Sequence, residues 1–98
     1  MDVSQKVLAS IYAAIDDYNM DIPESDHLDK TPDTLLFDEQ GKLDSVGLVT
    51  LSTAIETRIE QALGQRLSVF TQEASARSDK PLATVKSLTA YFAQKLGA

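Results

Sequence analysis

The residues best suited to chemistry lie in the stretch from Gly41 to Leu51, where a long acidic loop gives way to a strongly periodic segment. Asp and Ser accept hydrogen bonds from the first free N–H groups of a helix, so Asp44 and Ser45 predict a helix N-cap. The same position exposes one serine hydroxyl to solvent. The residues alone therefore leave two interpretations of Ser45, a simple cap and a site of covalent modification.

A second group of polar residues surrounds His27, the single histidine. A serine hydrolase needs a base beside its nucleophile, and a pairing of His27 with Ser45 has no third residue to orient the ring. Metal binding by Asp26, His27 and Asp29 lacks the spacing of a calcium-binding loop. We therefore predict that the chain is not an enzyme and binds no metal.

The composition is that of an ordinary globular protein with unevenly placed charge. The chain has 98 residues, 43% hydrophobic and 24% charged, which predicts a single domain over residues 1–98 with its own core. The formal net charge is −6, and ten of the fifteen acids lie between Asp16 and Asp44. Such a charge repels nucleic acid and anionic lipid, so we expect partners with basic patches and no nucleic acid.

The absence of cysteine excludes a disulfide framework, a thiolate metal site and a cysteine nucleophile. The first residues lack the basic flank and apolar run of a signal peptide, and no apolar stretch approaches membrane-spanning length. These features predict a cytoplasmic protein without stable membrane insertion, and we expect it to be a monomer.

Hydrophobic periodicity predicts three substantial helices and one short one. The first spans residues 4–18, the second 46–63 and the last about 85–96, with a short helix near 71–76. No strand pattern is present. The fold class is therefore all-α, and an antiparallel four-helix bundle is the economical architecture because each helix has one apolar stripe to bury.

The second predicted helix has the clearest division into an apolar and a polar face, and Gly64 provides a left-handed stop at its end. Its apolar stripe comprises Leu48, Leu51, Ile55, Ile59 and Ala62, broadened by Val49 and Leu63. Its exposed face would carry Gly47, Thr50, Thr53, Thr57, Glu60 and Gln61.

Residues 20–43 form a predicted loop, because they contain two prolines and no sustained period. A loop of this length in a compact domain is generally functional, or is held by apolar anchors of its own. Leu35, Leu36 and Phe37 are the evident anchors. We expect all three to contact the core, with a short helical turn after Pro32.

The order of these elements resembles the acyl carrier protein family, whose members share a four-helix bundle and an Asp-Ser-Leu type motif at the start of the second helix. Here the motif reads Asp44-Ser45-Val46, after a helix of about fifteen residues and a long acidic loop. The stripe of the second helix, the stop at Gly64, a short third helix and a Pro-x-x-Thr-Val segment before the last helix follow in the family's order.

The resemblance implies that Ser45 carries 4'-phosphopantetheine, attached from coenzyme A by a phosphopantetheinyl transferase. The thiol of this arm would hold an acyl or aminoacyl group as a thioester. Further partners would be a loading ligase and synthase enzymes of lipid or secondary-metabolite synthesis. Asp44 would cap the helix and help present the serine to the transferase. Partner contacts are expected at Val46, Gly47, Val49 and Thr50.

The chain differs from fatty-acid-synthesis carriers in the charge of its second helix. Those carriers usually have several acids there, whereas Gly47 and Thr50 occupy two such positions and acids come only at Glu56 and Glu60. Surface ion pairs chiefly set specificity, so this difference favours a specialised, free-standing carrier. The alternative is a small acidic helical adaptor that binds proteins through its loop while Ser45 stays unmodified.

Overall fold

A computed structural model describes residues 3–38, 41 and 43–96, and this part of the chain is all-helical, as predicted. The predicted single domain over 1–98 also includes positions 1–2, 39–40, 42 and 97–98, which lie outside the described residues. In chain order the helices are α1 (Val3–Asn19), α2 (Ser45–Leu63), the five-residue α3 (Gln72–Ala76) and α4 (Val85–Lys95), with a 3₁₀ turn at Glu24–Asp26. Helix α1 is central because it packs against both α2 and α4.

Capping residues fix the ends of the helices, as the sequence predicts. The Thr71 hydroxyl accepts the Ala74 N–H at 3.0 Å and begins α3. At the start of α4, Thr84 and Ser87 form a reciprocal capping box, in which each side-chain oxygen accepts the other's backbone N–H. Gly64 ends α2 with a φ of 72°, the left-handed conformation that glycine adopts without strain.

The core joins one face of each long helix to two residues from the connections, Leu36 and Val69, which are fully buried. The predicted stripe of α2 is confirmed at Leu51, Ile55 and Ile59, which are also fully buried. The other large side chains with almost no exposed surface are Val7, Ile11, Ile15, Val85, Leu88 and Phe92.

The buried face of α2 is rotated from the predicted stripe at both ends of the helix. Gly47 is buried although the pattern places it on the exposed face, whereas Leu48 is only half-buried and Ala62 is exposed. At the first end, Tyr18 of α1 lies against Gly47 and covers it. At the other end, Ala62 lines a surface groove together with Ala9 and Ala13 of α1. The rest of the predicted polar face, comprising Thr50, Thr53, Thr57, Glu60 and Gln61, is exposed as expected.

The acidic loop between α1 and α2 is anchored by Leu36, as predicted. Leu36 is fully buried, and its N–H donates to the Ala83 carbonyl at 2.7 Å. Phe37 is half-buried, packs against the core and donates its N–H to the Leu82 carbonyl at 3.1 Å. Leu35 is half-buried and lies outside the core cluster, so the expected core contact is found for two of the three anchors.

The same loop also satisfies the first turn of α4. The N–H of Val85 donates to the Thr34 carbonyl at 3.0 Å. The N–H of Lys86 donates to the Pro32 carbonyl at 2.9 Å. The first four N–H groups of a helix have no acceptor within it. The loop carbonyls accept two of these N–H groups at the start of α4, in addition to the hydrogen bonds of the capping box. In place of the short helical turn predicted after Pro32, the loop has one hydrogen-bonded turn at residues 31–34, in which the Thr34 N–H donates to the Thr31 carbonyl at 3.2 Å.

A bidentate ion pair joins α1 to α2 near the protein surface. Arg58 donates from Nε and Nη2 to the two carboxylate oxygens of Asp17, both at 2.8 Å. These hydrogen bonds lower the pKa of Asp17 from its ordinary value, against a weaker opposing effect of burial. The charged form of Asp17 is therefore favoured in the folded protein.

Replacing Arg58 by glutamine is expected to lower the melting temperature at neutral pH and to have little effect in acid. A carboxyl with a depressed folded pKa contributes stability above its unfolded pKa of about 3.9, and that stability is lost as the pH falls through the lower folded value. In thermal melts followed by circular dichroism, the difference in melting temperature between the variant and wild type should be constant down to about pH 5. It should disappear below about pH 4. Lys86→Gln removes an equal charge from an exposed site and is the control. If the difference in melting temperature between Arg58→Gln and wild type were the same at every pH, the stability would not come from the ion pair with Asp17.

Candidate functional site

The N-terminus of α2 carries Ser45 at the protein surface. Asp44 is the N-cap residue, and its carboxylate accepts the Gly47 N–H at 2.7 Å. Its carbonyl accepts the Leu48 N–H at 2.9 Å and so begins the helical ladder. Ser45 is the first helical residue and is exposed, and its side chain has no hydrogen bond to any described residue. The predicted cap is confirmed, and Asp44 performs it without the Ser45 hydroxyl.

Two backbone N–H groups at this helix end, those of Ser45 and Val46, have no acceptor among the described residues. The first N–H groups of a helix carry the partial positive charge of the helix dipole. At the start of α4, by contrast, loop carbonyls occupy the corresponding N–H groups. The start of α2 can therefore stabilise an anionic group on Ser45, such as a phosphodiester, by about 0.3–1 kcal/mol when exposed.

An exposed apolar surface borders Ser45. The side chain of Val46 is 73% exposed and that of Val49 is 63% exposed. Thr50, one residue further along α2, is exposed as well. A protein that contacts Ser45 would cover these neighbours, and burial of apolar surface contributes about 25 cal/mol per Å². The structure therefore brings three of the predicted contact residues together on the surface.

Gly47 is a position of close packing in the first turn of α2. A Cβ atom at Gly47 would lie 3.0 Å from the Tyr18 hydroxyl and 3.2 Å from both Asp44 Oδ1 and a methyl group of Leu43. A larger residue would have to displace these neighbours. The prediction that Gly47 lies on the exposed face is therefore wrong, because the end of α1 covers this part of α2. Its role as a partner contact stays a prediction.

A groove beside Ser45 separates the end of α1 and the loop from the start of α2. This acidic groove is lined by Tyr18, Asp21, Ile22, Asp26, Asp44, Val46, Gly47 and Thr50. Burial raises the pKa of the Tyr18 hydroxyl, and the negative charges of Asp44 and Asp26 raise it further. The hydroxyl is therefore protonated at neutral pH and can donate a hydrogen bond.

Comparison with known proteins adds no identification. Protein-family models, curated proteins and solved structures gave no match to this chain. The geometry around Ser45 is that of a solvent-exposed side chain at a helix start that its neighbour Asp44 caps.

Among the groove residues, the sequence predicts a site role for Asp44 but none for Tyr18 or Asp21, and it offers Asp26 only as a metal ligand that its spacing does not favour. The available signal was the glycine in the first turn of the second helix, because glycine allows another group to approach the backbone closely. Around His27, Nε2 lies 3.1 Å from the Ile22 carbonyl. Among the described residues, no group of three His, Asp or Glu side chains could hold a metal ion. None of the helices in the described ranges is long and apolar enough to cross a membrane.

Replacing Asp44 by alanine is expected to destabilise the protein by about 0.5–2 kcal/mol, because the Gly47 N–H loses its acceptor. The measurement is the free energy of unfolding in urea. Asp44→Asn is the matched control, because an asparagine oxygen caps a helix about as well as an aspartate oxygen, and it should remain near wild type. Equal losses in the two variants would assign the effect to charge and contradict the capping role.

Proposed function

We propose that the protein is a carrier that holds acyl or aminoacyl groups as thioesters on a 4'-phosphopantetheine arm attached to Ser45. It would deliver them to partner enzymes of lipid or secondary-metabolite synthesis. The observation that carries this proposal is the exposed Ser45 side chain at the start of α2, where Asp44 caps the helix and the Ser45 and Val46 N–H groups are without described partners.

The residues at this helix start suit an arm linked through a phosphodiester. The Ser45 side chain is exposed, so a transferase can reach its hydroxyl. The N–H groups of Ser45 and Val46 lie where they can stabilise the phosphate charge. Asp44 holds the first turn through its bond to the Gly47 N–H, which keeps those two groups in place. When bound, the arm would supply a thiol for thioester formation, a group that this cysteine-free chain lacks.

We extend the proposal to the fold and the partners. The three long helices and α3 would form an antiparallel four-helix bundle of the acyl-carrier type. The protein would be a cytoplasmic monomer without stable membrane insertion. Its partners are a phosphopantetheinyl transferase, a loading ligase and downstream synthases. Val46, Val49 and Thr50 form the contact surface next to the arm, and the exposure of all three supports that role.

The proposed role is not catalytic, because formation and transfer of the thioester belong to the partner enzymes. The position of His27 supports this assignment. Its Nε2 atom lies 3.1 Å from the Ile22 carbonyl, within the acidic loop, where the ring contributes to loop structure. A general base for Ser45 would instead need to lie within hydrogen-bond reach of that hydroxyl.

Intact-mass measurement tests the carrier function directly. The purified protein is incubated with coenzyme A, Mg²⁺ and a broad-specificity phosphopantetheinyl transferase. We expect a single phosphopantetheine adduct per chain, located by peptide mass spectrometry to the fragment that contains Ser45. Absence of an adduct would refute the carrier function and favour the adaptor alternative, in which the protein binds partner proteins through its acidic loop and Ser45 stays unmodified.

A further inference from the structure

The first turn of α2 packs against the end of α1 through Gly47 and Tyr18. Gly47 is buried, whereas Ser45 and Val46, which precede it in the same turn, are exposed. An added Cβ atom at Gly47 would lie only 3.0 Å from the hydroxyl oxygen of Tyr18. Non-bonded heavy atoms are most stable at separations of about 3.5 Å or more. Only glycine therefore fits at this position without movement of a neighbour.

The neighbours of Gly47 are held by other contacts. Tyr18 is only 9% exposed and belongs to the core cluster. A methyl group of Leu43 would lie 3.2 Å from the added Cβ atom, and Leu43 also packs against the core. The Oδ1 atom of Asp44 would lie at 3.2 Å as well, and it accepts the Gly47 N–H. Because interiors are close-packed, a side chain at position 47 would disturb the core, the helix cap or both.

The same packing affects Ser45, which lies two residues before Gly47 in the first turn of α2. The cap formed by Asp44 and the contact with Tyr18 both hold this turn in place. A shift of Gly47 away from Tyr18 would therefore displace Ser45 as well. Group transfer is sensitive to such shifts, since a misplacement of about 1 Å can slow a reaction about 100-fold.

We propose that Tyr18 and Gly47 are positioning residues for the modification of Ser45, because their contact sets the orientation of the helix start that the transferase must reach. This inference rests on the proposed carrier function. In the modification, the Ser45 oxygen bonds to the phosphorus next to the pantetheine arm of coenzyme A. The pyrophosphate bond breaks, adenosine 3',5'-bisphosphate leaves, and the hydroxyl proton passes to a base of the transferase. Tyr18 and Gly47 take no part in these bond changes.

Melting temperatures test the contact itself. Gly47 lies within α2 and its φ is not positive, so its backbone does not require glycine. At such a position, a change from glycine to alanine ordinarily raises the melting temperature by a few degrees. Gly47→Ala is expected to lower it instead, because the new methyl group meets Tyr18. Combining it with Tyr18→Phe, which removes the hydroxyl, should recover part of the loss. Tyr12→Phe removes a hydroxyl from another tyrosine of α1 and, as the control, should recover none.

Loading kinetics test the positioning role. Adduct formation is followed by intact mass with coenzyme A and a broad-specificity transferase, at a temperature at which circular dichroism shows each variant folded. We expect Gly47→Ala to lower kcat about tenfold. KM for the carrier should stay within about twofold of wild type, because the exposed surface of Val46, Val49 and Thr50 is retained. Adding Tyr18→Phe should recover most of kcat. A lower stability alone would not change kcat of a protein that stays folded.

The outcomes separate this inference from the carrier function. A higher melting temperature for Gly47→Ala, or wild-type loading kinetics, would overturn the inference and leave the carrier function intact. Additive effects of Gly47→Ala and Tyr18→Phe would also overturn it, because residues in contact are expected to couple. If Gly47→Ala does not fold, the double variant must fold and load, and its failure to do so would overturn the inference. Absence of any adduct on wild type would overturn both.

Discussion

Replacing Ser45 by alanine is expected to abolish phosphopantetheine loading while changing the free energy of unfolding by no more than about 0.5 kcal/mol. The loading effect is complete because the hydroxyl oxygen is the atom that would be modified. The stability effect is small because Asp44, and not Ser45, accepts the Gly47 N–H. The Ser45 side chain is also exposed and has no hydrogen bond to any described residue.

Two measurements on the same samples check this prediction. Intact mass after incubation with coenzyme A and the transferase should show no adduct on Ser45→Ala. Its melting temperature should stay within about 4 °C of wild type for a domain of this size. Ser68→Ala, at an exposed serine outside the site, is the control and should load normally. A surviving adduct, or a large loss of melting temperature, would show that Ser45 is not the attachment point or that its role is structural.

Replacing Leu36 by alanine is expected to destabilise the protein by about 2–5 kcal/mol, the range for large-to-small changes at buried sites. Leu36 has no exposed surface and belongs to the core cluster, although it lies in a loop. Its N–H bond to the Ala83 carbonyl remains possible in the variant, so the loss reports the side chain alone. Total stabilities of small domains are about 5–15 kcal/mol, so this is a large fraction.

Urea unfolding of Leu36→Ala should show the loss as a lower midpoint without a lower slope. The neighbouring Leu35→Ala is the matched control, because Leu35 has the same side chain but is half-buried and lies outside the core cluster. We expect the control to lose clearly less stability. Equal losses at both positions would mean that the loop is held by its main chain and not by the burial of Leu36.

The sequence was sufficient to predict features that depend on local spacing. The turns of α2 at Leu51, Ile55 and Ile59 follow from a repeat of about four residues, and Thr84 and Gly64 mark helix ends through their capping chemistry. The position of Ser45 on a capped helix start was predictable for the same reason. The family assignment and the modification of this serine stay predictions.

Features that depend on how helices meet were not predictable. The burial of Gly47 requires Tyr18 of α1 to lie against the first turn of α2, and no periodicity within either helix contains that information. Leu36 could be named as an anchor from its hydrophobicity, but its partner Ala83 lies far along the chain. The acidic groove was not predictable either, because it is formed by residues of α1, the loop and α2 together.

The hydrogen bonds between the acidic loop and α4 affect the order in which parts of the protein fold and unfold. The first two N–H groups of α4 have acceptors only when the carbonyls of Thr34 and Pro32 are in place. The loop and the helix therefore form one cooperative unit, although they lie far apart in the sequence. Contacts of this kind tend to form late in folding. The start of α2 contains its own cap in Asp44, so local opening at α4 would leave the helix end that carries Ser45 with its acceptor in place.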